Sequence, residues 1–155
     1  EQEGLQEGLQ LCLLLWQCKG MGSTNYFVIV SREDNPIYEA DLGSGNKKDD
    51  SSHLHQFILH AALDPVDERV WDSTSMHLKT VDKFNDLYVT AFVTAGMARL
   101  LLLHDARNED GIRAFLSEVH ELYLKVMMNP LQDTNARITA AGFDQRVRGV
   151  ARKYL

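Results

Sequence analysis

Residues 49–64, DDSSHLHQFILHAALD, carry more apolar side chains than one helix face can hold. Counted at 100° per residue, Leu54, Phe57, Ile58 and Ala61 form one stripe at the i, i+3, i+4, i+7 spacing. Leu59, Ala62, Leu63 and Val66 form a second stripe beside it. Together they cover roughly 240°, where a helix on a single core shows an apolar arc of about 100°. Gln56, His60 and His53 fill the remainder. A helix apolar on two sides needs two surfaces to pack against. One is the home domain, and a second protein is the natural candidate for the other. The spacing does not say which stripe faces which way.

The remaining bulk properties are those of one ordinary domain. A chain of 155 residues fits a single domain and buries about 68–70% of its unfolded surface without staples. A net charge of −6 and a pI near 5.4 argue against a nucleic-acid binder, which needs a basic face. The two cysteines, Cys12 and Cys18, suit neither a disulfide framework nor a four-ligand zinc site, which points to a reducing compartment. No apolar run reaches the 18 or more residues of a membrane span. Residues 1–22 read as an N-terminal extension outside the fold, with residues 23–155 as the single domain. The extension holds EGLQ twice, then the apolar run from Leu11 to Trp16, and Met21 has the look of a start. The other reading of this stretch is an amphipathic helix docked on the domain or on a partner.

Along the domain, residues 26–30 (YFVIV) read as a central strand. Asp34-Asn35-Pro36 marks a turn, and residues 37–42 alternate as a half-buried strand, completing a hairpin. The two-sided helix follows, with Ser51 or Ser52 as its cap. Asp64-Pro65 punctuates it, so Asp64 is either the cap of a further short turn or an acidic anchor beside the second stripe. Residues 76–84 and 87–94 read as strands joined at Asn85-Asp86. Ala95-Gly96 turns the chain into a deep strand, residues 100–103. Ile112, Phe115, Leu116, Val119, Leu122, Tyr123 and Val126 then keep a 3.6 period behind an Asn108 cap. A last helix carries Phe143, Val147, Val150 and Tyr154, with Asp144 and Arg148 paired at i, i+4. The order β-β-α-β-β-β-α-α, with short turns inside each strand group, requires antiparallel neighbours. The fold class is therefore α+β, a five-stranded antiparallel sheet with helices on its faces.

Catalytic constellations fail on inspection. His53, His55 and His60 lack the i, i+4 pairing and the carboxylate of a metal site, and read as solvated or partner-facing. No nucleophile elbow supports a Ser–His–Asp arrangement. Gly43-Ser44-Gly45 lacks the rest of a phosphate loop. His104-Asp105 reads as a strand-end turn. Trp71 suits a core edge or an interface, and the core edge is the expectation.

A series of strings in register then resembles the sedlin family, small longin-like subunits of the TRAPP vesicle-tethering complex. They include YFVIV at 26–30, DNP at 34–36, QFI at 56–58, HAALD at 60–64 and VDE at 66–68. LKTVDKFN at 78–85, AFVTAG at 91–96, LHD at 103–105, EDGI at 109–112 and MNP at 128–130 continue the series. The resemblance implies a longin-like fold and a non-catalytic, cofactor-free adaptor in ER-to-Golgi and Golgi vesicle transport. It implies contacts with other small and large TRAPP subunits, and with a Rab GTPase through the assembled complex. It also implies a cytoplasmic, perinuclear location, peripheral to membranes, and no nucleic-acid partner. The acidic residue of HAALD, Asp64, is the position it ties to subunit contacts. Pro65 stands where the family commonly has Leu, so the helix end is expected to differ.

The partner-binding set expected from this reading is Asp64, Leu59, Leu63 and Val66, with Leu54, Phe57, Ile58 and Ala61 on the sheet. On that basis Leu63→Glu should leave the fold intact. The alternatives are another longin-type trafficking domain, such as a SNARE regulatory domain or an adaptor small chain, and more remotely a small enzyme.

Overall fold

A computed structural model of the chain describes residues 24–43, 50–105 and 108–155. The expected extension at residues 1–22 lies outside them. The elements run β1 (Asn25–Val30), β2 (Pro36–Asp41), α1 (Asp50–Ala61), α2 (Leu63–Asp72), β3 (His77–Phe84), β4 (Leu87–Val93), β5 (Arg99–His104), α3 (Glu109–Met127) and α4 (Ala141–Tyr154). The sheet order is β2-β1-β5-β4-β3, antiparallel throughout. The expected five-stranded sheet and element order stand, with one helix added.

Every strand of the central trio is buried on both sides because each face carries a helical layer. Phe27, Ile29, Leu100 and Leu102 face α3 and α4, meeting Phe115, Leu116, Val119, Phe143 and Val147. Tyr26, Val28, Leu101 and Leu103 face α1 and α2 instead. The result is a three-layer sandwich with a separate apolar cluster on each side of the sheet. Asn108 caps α3 as expected, its side chain accepting from the Gly111 N–H at 3.1 Å. Gly111 is needed there, since a Cβ would stand 2.7 Å from the Tyr154 carbonyl oxygen at the end of α4.

The added helix is where sequence reading and structure part. The segment expected as one helix is two helices that meet at Ala62, which itself stays helical in φ and ψ, donating to the Ile58 carbonyl at 3.0 Å and accepting from the Val66 N–H at 3.2 Å. Pro65 explains the place. A helical proline lacks an N–H and its ring crowds the carbonyl four residues back, here that of Ala61. Ala62 is the N-cap position of α2 and supplies no side-chain bond, so Asp64 is not a cap. Asp64 sits in the first turn, where a carboxylate suits the helix dipole. Ser51 and Ser52 likewise lie inside α1, since it begins at Asp50.

Both sheet edges are blunted against further strands. On β3 two bulges interrupt the pairing, and Lys79 takes a positive φ of 59°. On β2 the Ile138 N–H donates to the Ile37 carbonyl at 2.8 Å.

Candidate protein-docking face

One helical phase carried through Ala62 sets which side chains α1 and α2 bury. Leu59, Leu63 and Val66 are 2%, 8% and 0% exposed and pack into the cluster under β1, β4 and β5. The expectation that they form an outward patch is corrected: they are core. In α1 the buried stripe is His55, Ile58, Leu59 and Ala62, an i, i+3, i+4, i+7 set beginning on a histidine. That histidine disguised the stripe. Its ring lies 5.6 Å from that of Tyr26, and burial lowers its pKa against the opposing pull of Asp41. His55 is therefore neither solvated nor partner-facing, while His53 and His60 are exposed.

The outward side is left to residues expected inside. Phe57 is 50% exposed and Ala61 is exposed, Leu54 is half-buried, and of that stripe only Ile58 reaches the sheet. Trp71, expected at a core edge, is 84% exposed. The helical count recovers its placing. Leu63, Val66 and Val70 fall inward at i, i+3, i+7, and Trp71 lies about 140° round from Val66. Asp64 and Glu68 share that outer side, both exposed. The signal was present in the spacing: counted from Ile58 at 100° per residue, Leu59, Ala62, Leu63, Val66 and Val70 fall within about 140°, and Trp71, Asp64 and Phe57 at about 220°, 240° and 260°.

Polar anchors hold this layer in place. Arg99, at the start of β5 and 5% exposed, is paired with Asp67 of α2 on one side and with Asp34 of the β1–β2 turn on the other. Its Nε lies 2.9 Å from the Asp67 Oδ1, close enough for charge pairing though off the line of a hydrogen bond, while Nη2 donates to Oδ2 at 3.2 Å. A second α2 anchor runs from Arg69 Nη1 to the Thr80 carbonyl of β3 at 2.7 Å. Gln56 Nε2 donates to Glu39 Oε2 on β2 at 3.0 Å. Asp64 is left out of all of these.

His104 is tied into the sheet. His104 Nε2 lies 2.9 Å from the Thr90 Oγ1 on the neighbouring strand, as a strand-end residue would. Among the described residues no group of three or more His, Cys, Asp or Glu side chains is arranged to hold a metal ion. No helix among them is long and apolar enough to cross a membrane.

These features define a longin-like α+β domain whose outer α1–α2 surface carries aromatic side chains. The model of the sedlin family matches residues 29–153, and the chain belongs to that family. It is 43% identical over 135 residues to the transport protein particle 20 kDa subunit of Schizosaccharomyces pombe, covering 85% of this chain and 99% of the relative. The probable trafficking protein particle complex subunit 2 of Drosophila melanogaster is 45% identical over 136 residues, covering 86% and 98%. Its Caenorhabditis elegans counterpart is 44% identical over 134 residues, covering 84% and 95%.

Proposed function

We propose that this chain is a non-catalytic adaptor subunit of a TRAPP-type tethering particle in ER-to-Golgi and Golgi vesicle transport. It acts by joining other subunits, and it meets membranes and a Rab GTPase only through the assembly. The observation that carries the reading is near-full-length similarity to particle subunits in three organisms.

The docking face we assign is the outer side of α1 and α2, with Phe57, Ala61, Asp64 and Trp71 as its contact residues. Phe57 and Trp71 expose large apolar surface that the fold does not use, and such anchors dominate interface energetics. Asp64 lies beside them without an ion pair among the described residues. The test is copurification of particle subunits with the tagged full chain carrying Phe57→Ser, Asp64→Ala or Trp71→Ala. Loss of those subunits with an unchanged thermal unfolding midpoint is the expected result. Full copurification by all three variants would place the interface elsewhere.

A further inference from the structure

The chemistry of the partner at this face is written into α2. The helix carries Asp64, Asp67, Glu68 and Asp72 against a single Arg69. Asp67 is committed to Arg99, and Arg69 is committed to the Thr80 carbonyl. Asp64, Glu68 and Asp72 remain exposed, with no cation paired to them among the described residues. Counted from the fully buried Val66, they stand at about 160°, 200° and 240°, with Trp71 at about 140°. Three free carboxylates and a bare indole thus share the side of α2 turned away from the sheet.

Asp72 is the telling member. It is the last residue of α2, where the helix dipole already concentrates negative charge. A carboxylate there is locally unfavourable, and a cation would relieve both the carboxylate and the helix end. Trp71, its neighbour, offers the best aromatic face for a guanidinium or ammonium group. Cations lie over Tyr88 and Tyr154 in this fold, from Lys83 and Lys153, but among the described residues none lies over Trp71.

We infer that the C-terminal turn of α2 is a receptor for an arginine or lysine side chain of a partner subunit, stacked on Trp71 and paired with Glu68 and Asp72. The inference rests on the α1–α2 docking reading and adds the charge of the occupant. Its partner segment is basic and solvent-exposed before assembly.

The test uses the full chain with Trp16→Phe, so that Trp71 is the one remaining of two indoles. The probe is an acetylated hexa-arginine peptide, with hexa-glutamine as the neutral control, read by Trp71 fluorescence. A saturable change with hexa-arginine alone is expected, abolished near 0.5 M salt, where the Debye length is roughly 4 Å. Glu68→Gln with Asp72→Asn should weaken it by about threefold or more. Asp110→Asn with Glu121→Gln, the same charge change on α3, should leave it unchanged. Equal responses to both peptides, or equal weakening by the α3 pair, would overturn the inference. Particle copurification separates the two levels. If Trp71→Ala abolishes copurification while Glu68→Gln with Asp72→Asn retains it in high salt and low, the docking face stands and the cationic partner falls. If neither variant affects it, the Trp71 receptor falls, and the docking face falls with it only if Phe57→Ser and Asp64→Ala also copurify fully.

Discussion

The two helical layers are built from the same materials and differ in what they leave outside. The α3–α4 layer is two unbroken helices of 19 and 14 residues. It buries Phe115 edge-on against Phe27 at 5.4 Å and Phe143 against Tyr38 at 4.9 Å. The Tyr38 hydroxyl donates to Asp144 at 2.8 Å, and Arg148 donates to the same carboxylate at 2.9 Å. Those bonds hold the Asp144 pKa below its ordinary value, Arg148 contributing most, while burial and then Asp144 hold that of Tyr38 well above. The outer side of α4 carries polar and charged residues such as Gln145, Arg146 and Arg152. The α1–α2 layer is two helices that meet at Ala62, and its aromatic residues point outward. The α3–α4 layer spends its aromatics on the core, whereas the α1–α2 layer leaves Phe57 and Trp71 outside, which is why the proposed docking face is placed there. The contrast softens at the far end of α3, where Leu124, Met128 and Leu131 are also exposed, and at Leu155 after α4.

The sharpest way to break the contrast is at Leu63, where a charge replaces an 8% exposed core side chain. Leu63→Glu buries a carboxylate with no cation to meet it, at a cost of several kcal/mol. That approaches the whole stability of a domain. The expected outcome is loss of the cooperative thermal transition, followed by circular dichroism. A folded Leu63→Glu protein would return Leu63 to the surface. On the other layer, Phe115→Ala should cost about 3–5 kcal/mol in urea unfolding, with partner binding intact in whatever fraction stays folded.

The Arg99 anchor tests how the docking layer is positioned. Asp34→Asn and Asp67→Asn each remove one carboxylate from the same guanidinium. Each should cost about 1–2 kcal/mol, because Arg99 keeps its other partner. Only Asp67→Asn releases α2, so only it should weaken subunit copurification. Equal weakening by both would make Arg99 a matter of stability alone.

Most of the architecture was legible before any coordinates. Strand order along the chain followed from turn pairs such as Asn85-Asp86, and the α3 face from its 3.6 period, because both signals are local. For the proposed docking face the two stripes and Asp64 were legible, but which stripe meets the sheet was not. His55 occupies a core position without being apolar, so the buried stripe looked one residue short. The angular count runs on through Ala62, and it groups Leu59, Ala62, Leu63 and Val66 correctly, but a count of angles alone does not say which of two adjacent apolar stripes meets the sheet. Arg99 was missed because burial of a cation depends on two carboxylates 65 and 32 residues away in sequence.

Histidine supplies a smaller effect shared between the layers. His55, His77 and His120 all titrate below the ordinary 6.5, burial being the leading cause in each. With folded values below unfolded ones, the unfolded state takes up protons first as pH falls. Stability is complete above about 6.5 and declines as pH drops from there towards the folded values. The urea midpoint should therefore fall modestly between about pH 7.5 and about pH 5.5. His55→Gln, which cannot be protonated, should flatten part of that fall, and an unaltered slope would remove His55 from the account.

The smallest change in stability is expected at Phe57, one of the contact residues proposed for the docking face. Phe57 is half exposed and stands on the outer side of α1, while Ile58 and Leu59 beside it are 3% and 2% exposed. Truncating a surface side chain away from caps, cavities and buried polar groups shifts stability within about 0.5 kcal/mol either way. Alanine also has the highest helix propensity, which offsets what little packing Phe57 contributes. Phe57→Ala should therefore leave the urea midpoint where it is, whereas Leu59→Ala, two positions on, should cost about 2–5 kcal/mol. A large loss from Phe57→Ala would mean that the aromatic packs on its own domain, and the division between a scaffold layer and a binding layer would have to be redrawn through the middle of α1.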